Sequence, residues 1–253
     1  MGGLLIVLLG AATGRAEGPY ARMLAAHVRP GTVSGLRANL VDYAALSADP
    51  DYRRALAELE AAPPVALSRD RDGLAFWLNA YNLLAIRGVV ERYPIRSLRD
   101  AGSLLFPIWR KKLGVVARTE RSLDEIEHGI LRKRFADPRI HLALVCASLS
   151  CPDLRTEPYA GARLDQQLDD QARRFLGNPT KGLALADDGR GVRVSRIFEW
   201  YAGDFAPSGG VASFLREHAP AALRPSLAGL EDSDLTYFGY DWTLNDASRA
   251  AAP

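Results

Sequence analysis

Leu74-Ala75-Phe76-Trp77-Leu78-Asn79-Ala80-Tyr81-Asn82-Leu83-Leu84-Ala85-Ile86-Arg87-Gly88-Val89-Val90-Glu91-Arg92 is apolar on nearly every face of a helix. A helix that is hydrophobic all round is buried all round. These residues therefore predict a central helix about which the rest of the chain packs. Its few polar side chains then need partners. Asn79 and Asn82 are three residues apart and share one side, and a buried amide left unpaired costs about 1–3 kcal/mol. They either bond neighbouring backbone or line a binding site.

Working outward, residues 20–62 read as short helices broken at Pro30-Gly31 and Asp49-Pro50, with Ala61-Ala62-Pro63-Pro64 closing the segment. On the other side, Ser122-Leu123-Asp124-Glu125 has the form of a capping box, so a helix is expected from there to about Phe135. Leu123, Ile126, Ile130 and Leu131 make its apolar arc, and Glu127 falls inside that arc. A buried carboxylate is too costly to keep unless it is paired or put to use. His128 lies at the edge of the arc. Ile140-His141-Leu142-Ala143-Leu144-Val145 has the length and composition of a buried β-strand. It leads into Cys146-Ala147-Ser148-Leu149-Ser150-Cys151-Pro152, which holds both cysteines of the chain.

Further on, Leu164, Leu168, Ala172 and Phe175 mark an amphipathic helix, and residues 183–194 alternate around a turn-rich centre as a β-hairpin does. Phe198, Trp200, Tyr201 and Phe205 cluster, and Tyr237 to Asn245 reads as a final strand returning to the core. With no long linker and no internal repeat, the expectation is one α+β domain over residues 17–253, helix-rich with a small, mainly antiparallel sheet.

Composition sets bounds on function. The 253 residues are 48% hydrophobic and 25% charged, ordinary for a globular protein. A net charge of +2 with interleaved signs speaks against a nucleic-acid partner. Two cysteines are too few for a disulfide-built scaffold. Met1 to Ala12 is a short apolar stretch, below the roughly 20 residues that span a bilayer. Followed by Gly14-Arg15-Ala16, it resembles the hydrophobic part of a secretory signal, although nothing basic precedes it. Residues 1–16 are thus expected to be a signal peptide or its remnant. The mature chain is expected to be periplasmic or secreted, without an integral membrane segment.

Several motifs in order carry a family resemblance. They are Phe76-Trp77-Leu78-Asn79-Ala80-Tyr81-Asn82, Ile126-Glu127-His128-Gly129-Ile130-Leu131-Arg132, Asp137-Pro138-Arg139-Ile140-His141, and Cys146 to Pro152. Phe198-Glu199-Trp200-Tyr201 with Asp204-Phe205, and Tyr240-Asp241-Trp242-Thr243-Leu244-Asn245, complete the set. Together they resemble the domain-of-unknown-function 547 family across nearly the whole chain. The resemblance implies no settled reaction, and it implies export for bacterial members. Plant relatives resemble the cysteine segment with the second cysteine replaced. Carried over, this makes Cys146 the better nucleophile and disfavours a role that needs both sulfurs.

A thiol, an imidazole and a carboxylate are the parts of an activated nucleophile, here Cys146, His128 and Glu127. The N–H groups around Ala147 and Ser148 would then face a developing oxyanion. Asn79, Asn82, Arg132, His141, Ser148 and Cys151 are the accompanying candidates for binding. The competing readings are a structural disulfide or inert thiols, a metal held by Cys146, Cys151, His128 and His141, and a pocket in which the sulfurs are bystanders. The four would-be ligands lack the paired spacing of a zinc site, so no metal and no cofactor is expected. Two function classes follow. One is an exported thiol-dependent hydrolase or acyltransferase acting on amide or peptide bonds. The other is a non-catalytic envelope binding module for a small molecule or peptide, with a structural Glu-His-Asn cluster.

Overall fold

Asp70 starts the central helix, its carboxylate accepting the Gly73 N–H at 2.9 Å, and the helix runs over Arg71–Val90. The computed structural model describes residues 18–63, 68–103, 106–185 and 191–250, so the segment read as a signal lies outside the described residues. By length and composition this helix could cross a membrane, but 89% of its apolar window is buried within the protein. It is a core helix.

In chain order the elements begin with helix α1 (Pro19–His27), strands β1 (Val28–Val33) and β2 (Leu36–Val41), and helices α2 (Tyr43–Leu46), α3 (Pro50–Ala61) and α4, the central helix. There follow β3 (Gly114–Val116), β4 (Thr119–Arg121) and helix α5, a π-helix over Glu125–Leu131 that continues as α-helix over Arg132–Arg134. Then come α6 (Ile140–Ala143), α7 (Leu164–Leu176), β5 (Leu183–Leu185), β6 (Val192–Val194), α8 (Ile197–Trp200), α9 (Ala202–Phe205), α10 (Gly210–His218) and β7 (Leu235–Tyr237). The strands form two hairpins, β1-β2 and β3-β4, and a three-stranded sheet in the order β5-β6-β7. The fold is α+β and helix-rich, as expected, with its strands in three small sheets.

Two large apolar clusters organise the molecule. The first surrounds α4, where Leu78, Leu83, Leu84 and Trp77 meet Leu24, Leu59, Ile126 and Leu164. The second joins Leu142, Phe175, Val194, Phe198, Phe205 and Phe214. Tyr240 packs against both.

Three local expectations are corrected. Residues 28–41 form a hairpin, not a helix break. Ser34 and Gly35 both take positive φ, 50° and 81°, which is what a two-residue turn of the type that matches strand twist requires. Pro30 is tolerated because the sheet has only two strands. Residues 140–145 are not a strand but the short α6 followed by extended chain. No neighbouring strand receives them; the Val145 N–H goes instead to the Asn82 side chain at 2.9 Å. The last strand ends at Tyr237, and the chain beyond is irregular, touching the cysteine loop through a bridge between Ser148 and Leu244. The capping box is present, with Ser122 and Glu125 each accepting the other's N–H. β5 and β6 pair antiparallel, and the centre of their turn lies outside the described residues.

Both asparagines of α4 bond backbone. Asn79 grips both polar groups of Tyr159, at 2.8 and 2.9 Å. Asn82 donates to the Ala143 carbonyl at 3.0 Å and accepts from Val145. Among the described hydrogen bonds neither is joined to Glu127; both clamp backbone.

Two stability measurements check this core. Trp77 is 1% exposed with an indole N–H that has no acceptor. Trp77→Ala should cost about 3–5 kcal/mol in chemical denaturation, while Trp77→Phe, which loses no hydrogen bond, should cost clearly less. Asn82→Ala leaves the Val145 N–H and Ala143 carbonyl unpaired in the interior. A loss of at least about 2 kcal/mol is expected, and unchanged melting would show that the clamp carries no load.

Candidate functional site

The cysteine loop makes few internal hydrogen bonds and is held from outside. Gln171 of α7 donates to the carbonyls of Leu142 (3.0 Å) and Asp153 (2.7 Å). The Lys181 ammonium donates to the carbonyls of Leu149 (3.1 Å) and Cys151 (2.7 Å) and to the Asp153 carboxylate (2.7 Å). Burial pushes this lysine's pKa down, and Asp153 opposes the shift. The C-terminal segment closes the other side: Leu149 N–H bonds Thr243 O at 2.8 Å, and Asn245 N–H bonds Ala147 O at 3.1 Å. Ala147, directly after Cys146, sits at φ +62°, a strained value for a residue with a Cβ and one that concentrates at functional sites. Among the described hydrogen bonds, the N–H groups of Ala147 and Ser148 have no acceptor.

Cys146 and Cys151 are joined in a disulfide. Neither is a thiol in this state; of the readings that the sequence leaves open for the two sulfurs, this is the disulfide. Cys146 is half-buried, and Cys151 is 2% exposed. The bond lies at a cavity of about 170 Å³ whose lining also includes Glu127, His128 and His141. Thus five of the residues singled out from sequence converge here.

Their chemistry is set by their partners. His141 is 3% exposed, and its Nε2 lies 2.7 Å from Asp204 Oδ2. Arg132 binds the same carboxylate with Nε at 2.6 Å and Nη2 at 2.7 Å, and this guanidinium holds Asp204 down at a pKa of about 2. An ionised carboxylate only accepts, so Nε2 carries the proton and neutral His141 keeps its lone pair on Nδ1. That nitrogen is buried with no protein partner. Burial pushes the His141 pKa below its ordinary value, against the pull of Asp204. The ring stacks on Tyr201 with centroids 4.0 Å apart. Arg139, bound to Asp137, Asp165 and Asp169, secures the start of α6 from which His141 projects.

Glu127, 8% exposed, lines the cavity together with the phenols of Tyr81 and Tyr201. Burial first, and the Glu127 charge second, raise both phenols well above the usual tyrosine range. The π-helical turns of α5 place Glu127 and His128 on this cavity, and such turns recur at functional sites. His128 is more open, its side chain 41% exposed, and its Nδ1 lies 2.8 Å from Arg132 Nη1. Arg132 is therefore engaged with Asp204 and His128. Ser148 Oγ sits 3.4 Å from Cys146 Sγ and from the Tyr240 hydroxyl. Asn79 and Asn82 lie outside the cavity lining.

Aromatic rings form the remaining wall. Trp200 stacks on Trp242 at 5.8 Å, and Tyr240 lies 4.7 Å from Trp200 and 4.5 Å from Trp242. The sequence shows the cluster of Phe198, Trp200, Tyr201 and Phe205 but gives it no role, and it leaves Asp204, Tyr240 and Lys181 without one. Asp204 and Tyr201 stood within quoted motifs; Lys181 left no pattern, because a lone lysine normally faces solvent.

No curated protein and no solved structure matches this chain. The family model described as "Protein of unknown function, DUF547" matches residues 65–176, the span of α4, α5, the cysteine loop and α7. The resemblance read from the motifs is thereby borne out, and over that span the chain is similar to the DUF547 family.

Proposed function

We propose that the cavity is a thiol-dependent acyl-transfer site, hydrolysing or exchanging amide or peptide bonds when Cys146 is reduced. The observation that carries this reading is the buried Asp204–His141 pair, with an unpartnered Nδ1, on a residue that lines the same cavity as Cys146. A carboxylate that fixes the imidazole tautomer, an available basic nitrogen and a sulfur are the parts of a nucleophilic triad. His141, rather than His128, takes the role of base, since His128 Nδ1 is engaged by Arg132.

In the reaction His141 Nδ1 accepts the Cys146 thiol proton, and the thiolate attacks the carbonyl carbon. The tetrahedral oxyanion would be met by the free N–H groups of Ala147 and Ser148. Collapse expels the amine, which takes the proton from His141, and leaves a thioester. Water or a second nucleophile then releases the acyl group and restores the thiol. The aromatic wall would seat an apolar or ring-bearing part of the substrate. A disulfide suits an oxidising compartment, in keeping with the exported setting read from the N-terminal stretch.

The disulfide favours a second reading, in which the cavity only binds a small molecule or peptide and Glu127 with its two tyrosines is structural. Reduced protein and p-nitrophenyl acetate separate the two. The acyl-transfer reading expects a burst of nitrophenolate that vanishes in Cys146→Ser and slows at least about 100-fold in His141→Ala. His128→Ala should retain most of the burst. A reduced wild type no faster than Cys146→Ser would leave the binding module. The pH profile has a defined sign. Because burial disfavours the imidazolium, His141 stays neutral below its ordinary value of 6.5. The burst rate should therefore hold through pH 6.5 and fall only at lower pH, as Nδ1 becomes protonated.

A further inference from the structure

The two sulfurs of the disulfide sit in unequal surroundings. Both cysteines line the cavity, but Cys146 is half-buried whereas Cys151 is 2% exposed. Hydrogen-bond donors gather on the buried sulfur. The Cys146 backbone N–H points at Cys151 Sγ from 3.0 Å, and the Tyr240 hydroxyl donates to it at 3.2 Å. Tyr240 has only a longer contact to Cys146 Sγ, 3.6 Å. The Tyr240 oxygen in turn accepts from Ser148 at 3.4 Å, which leaves its own proton for the sulfur.

A disulfide neither needs nor rewards two donors on one sulfur, since a divalent sulfur is a weak acceptor. A thiolate does: hydrogen bonds to a charged acceptor are roughly twice as strong as neutral ones. The rate of thiol–disulfide exchange rises as the leaving sulfur is better stabilised, and it depends on which sulfur can be reached. Here the reachable sulfur and the stabilised leaving sulfur are different atoms, in the order that exchange requires.

We propose that Cys146–Cys151 is a thiol–disulfide exchange site in which a dithiol attacks Cys146 and Cys151 departs as a thiolate held by Tyr240 and the Cys146 N–H. The first thiolate of the dithiol forms a bond to Cys146 Sγ as the Cys146–Cys151 bond breaks, and the electron pair leaves on Cys151. The second thiolate of the dithiol then attacks its own sulfur in the mixed disulfide. The dithiol is oxidised to a disulfide and Cys146 departs as a thiolate, so two electrons pass to the protein. This activity stands independently of acyl transfer: it needs no acyl donor, and it holds whether the reduced cavity hydrolyses anything or only binds.

Dithiothreitol is the probe, with native protein sampled over time, quenched in iodoacetamide and weighed for two added alkyl groups. Native wild type is expected to be reduced without unfolding, and Tyr240→Phe to react about tenfold more slowly, having lost one donor to the departing charge. Glutathione disulfide maps the reachable sulfur without relying on Tyr240. Cys151→Ser should form a mixed disulfide on Cys146, while Cys146→Ser, with its thiol buried, should react far more slowly. Thermal melting confirms that each variant is folded, and the glutathione experiment decides alone if Tyr240→Phe is not. The proposal is overturned if wild type resists reduction until unfolded, if folded Tyr240→Phe matches the wild-type rate, or if both single-cysteine proteins react equally. A failed nitrophenolate burst beside these expected outcomes would remove the acyl-transfer reading alone.

Discussion

The cysteine loop turns through the interior, and its buried backbone must find hydrogen-bond partners that no sheet or helix supplies. Peptide groups taken out of water without a partner each cost a kilocalorie or more per mole, so something has to be built around them. Asn82 meets Ala143 and Val145, Gln171 meets Leu142 and Asp153, and Lys181 meets Leu149 and Cys151. Thr243 and Asn245 serve Leu149 and Ala147 from the chain's far end. The clamps come from α4, α7 and two loops, which ties the central helix and both apolar clusters to one short segment. The rigidity that places Cys146 at the cavity is a by-product of satisfying this backbone. The strained φ of Ala147 persists because so many anchors over-determine it.

Charge is arranged on the same principle. Asp204 would be a poor partner for His141 if its charge had no second support. Arg132 supplies that support with two hydrogen bonds, and a bidentate guanidinium is well matched to a carboxylate. The doubly held Asp204 fixes the imidazole tautomer while burial keeps the ring neutral. Glu127 is handled differently: no cation is bonded to it among the described salt bridges, and the phenols of Tyr81 and Tyr201 line the cavity with it.

Legibility in the sequence followed the range of the interaction. Helix α4 was plain because burial on every side leaves a continuous apolar record, and α7 because burial on one side leaves a periodic one. The capping box was readable since its two members are three residues apart. Residues 140–145 misled because a short apolar run looks the same whether it is a strand or a buried helical turn; the deciding fact, that Asn82 takes the Val145 N–H, lies 63 residues away. Glu127 was rightly flagged as a carboxylate on an apolar face. Nothing local marks Tyr81 and Tyr201 as its neighbours in the cavity. His141 was placed among binding residues without its partner, because Asp204 reaches it across 63 positions. Side chains that complete a buried site from a distance leave no periodicity.

The two sulfur chemistries are compatible because they ask different things of the same loop. Acyl transfer needs one reachable sulfur, a base on the same cavity and free N–H groups after the sulfur, which Cys146, His141 and the residues after Cys146 would supply. Exchange needs in addition a second sulfur that can carry charge while hidden, and Cys151 with Tyr240 answers only that need. In the disulfide the Cys146 sulfur has no thiolate to offer, so the bond holds acyl chemistry off; on reduction Cys151 keeps two donors of its own, one from Tyr240 and one from the Cys146 N–H. Those donors let the second thiolate remain where it formed, without competing for His141. Under the two proposals, oxidation of this one loop closes the site and reduction reopens it.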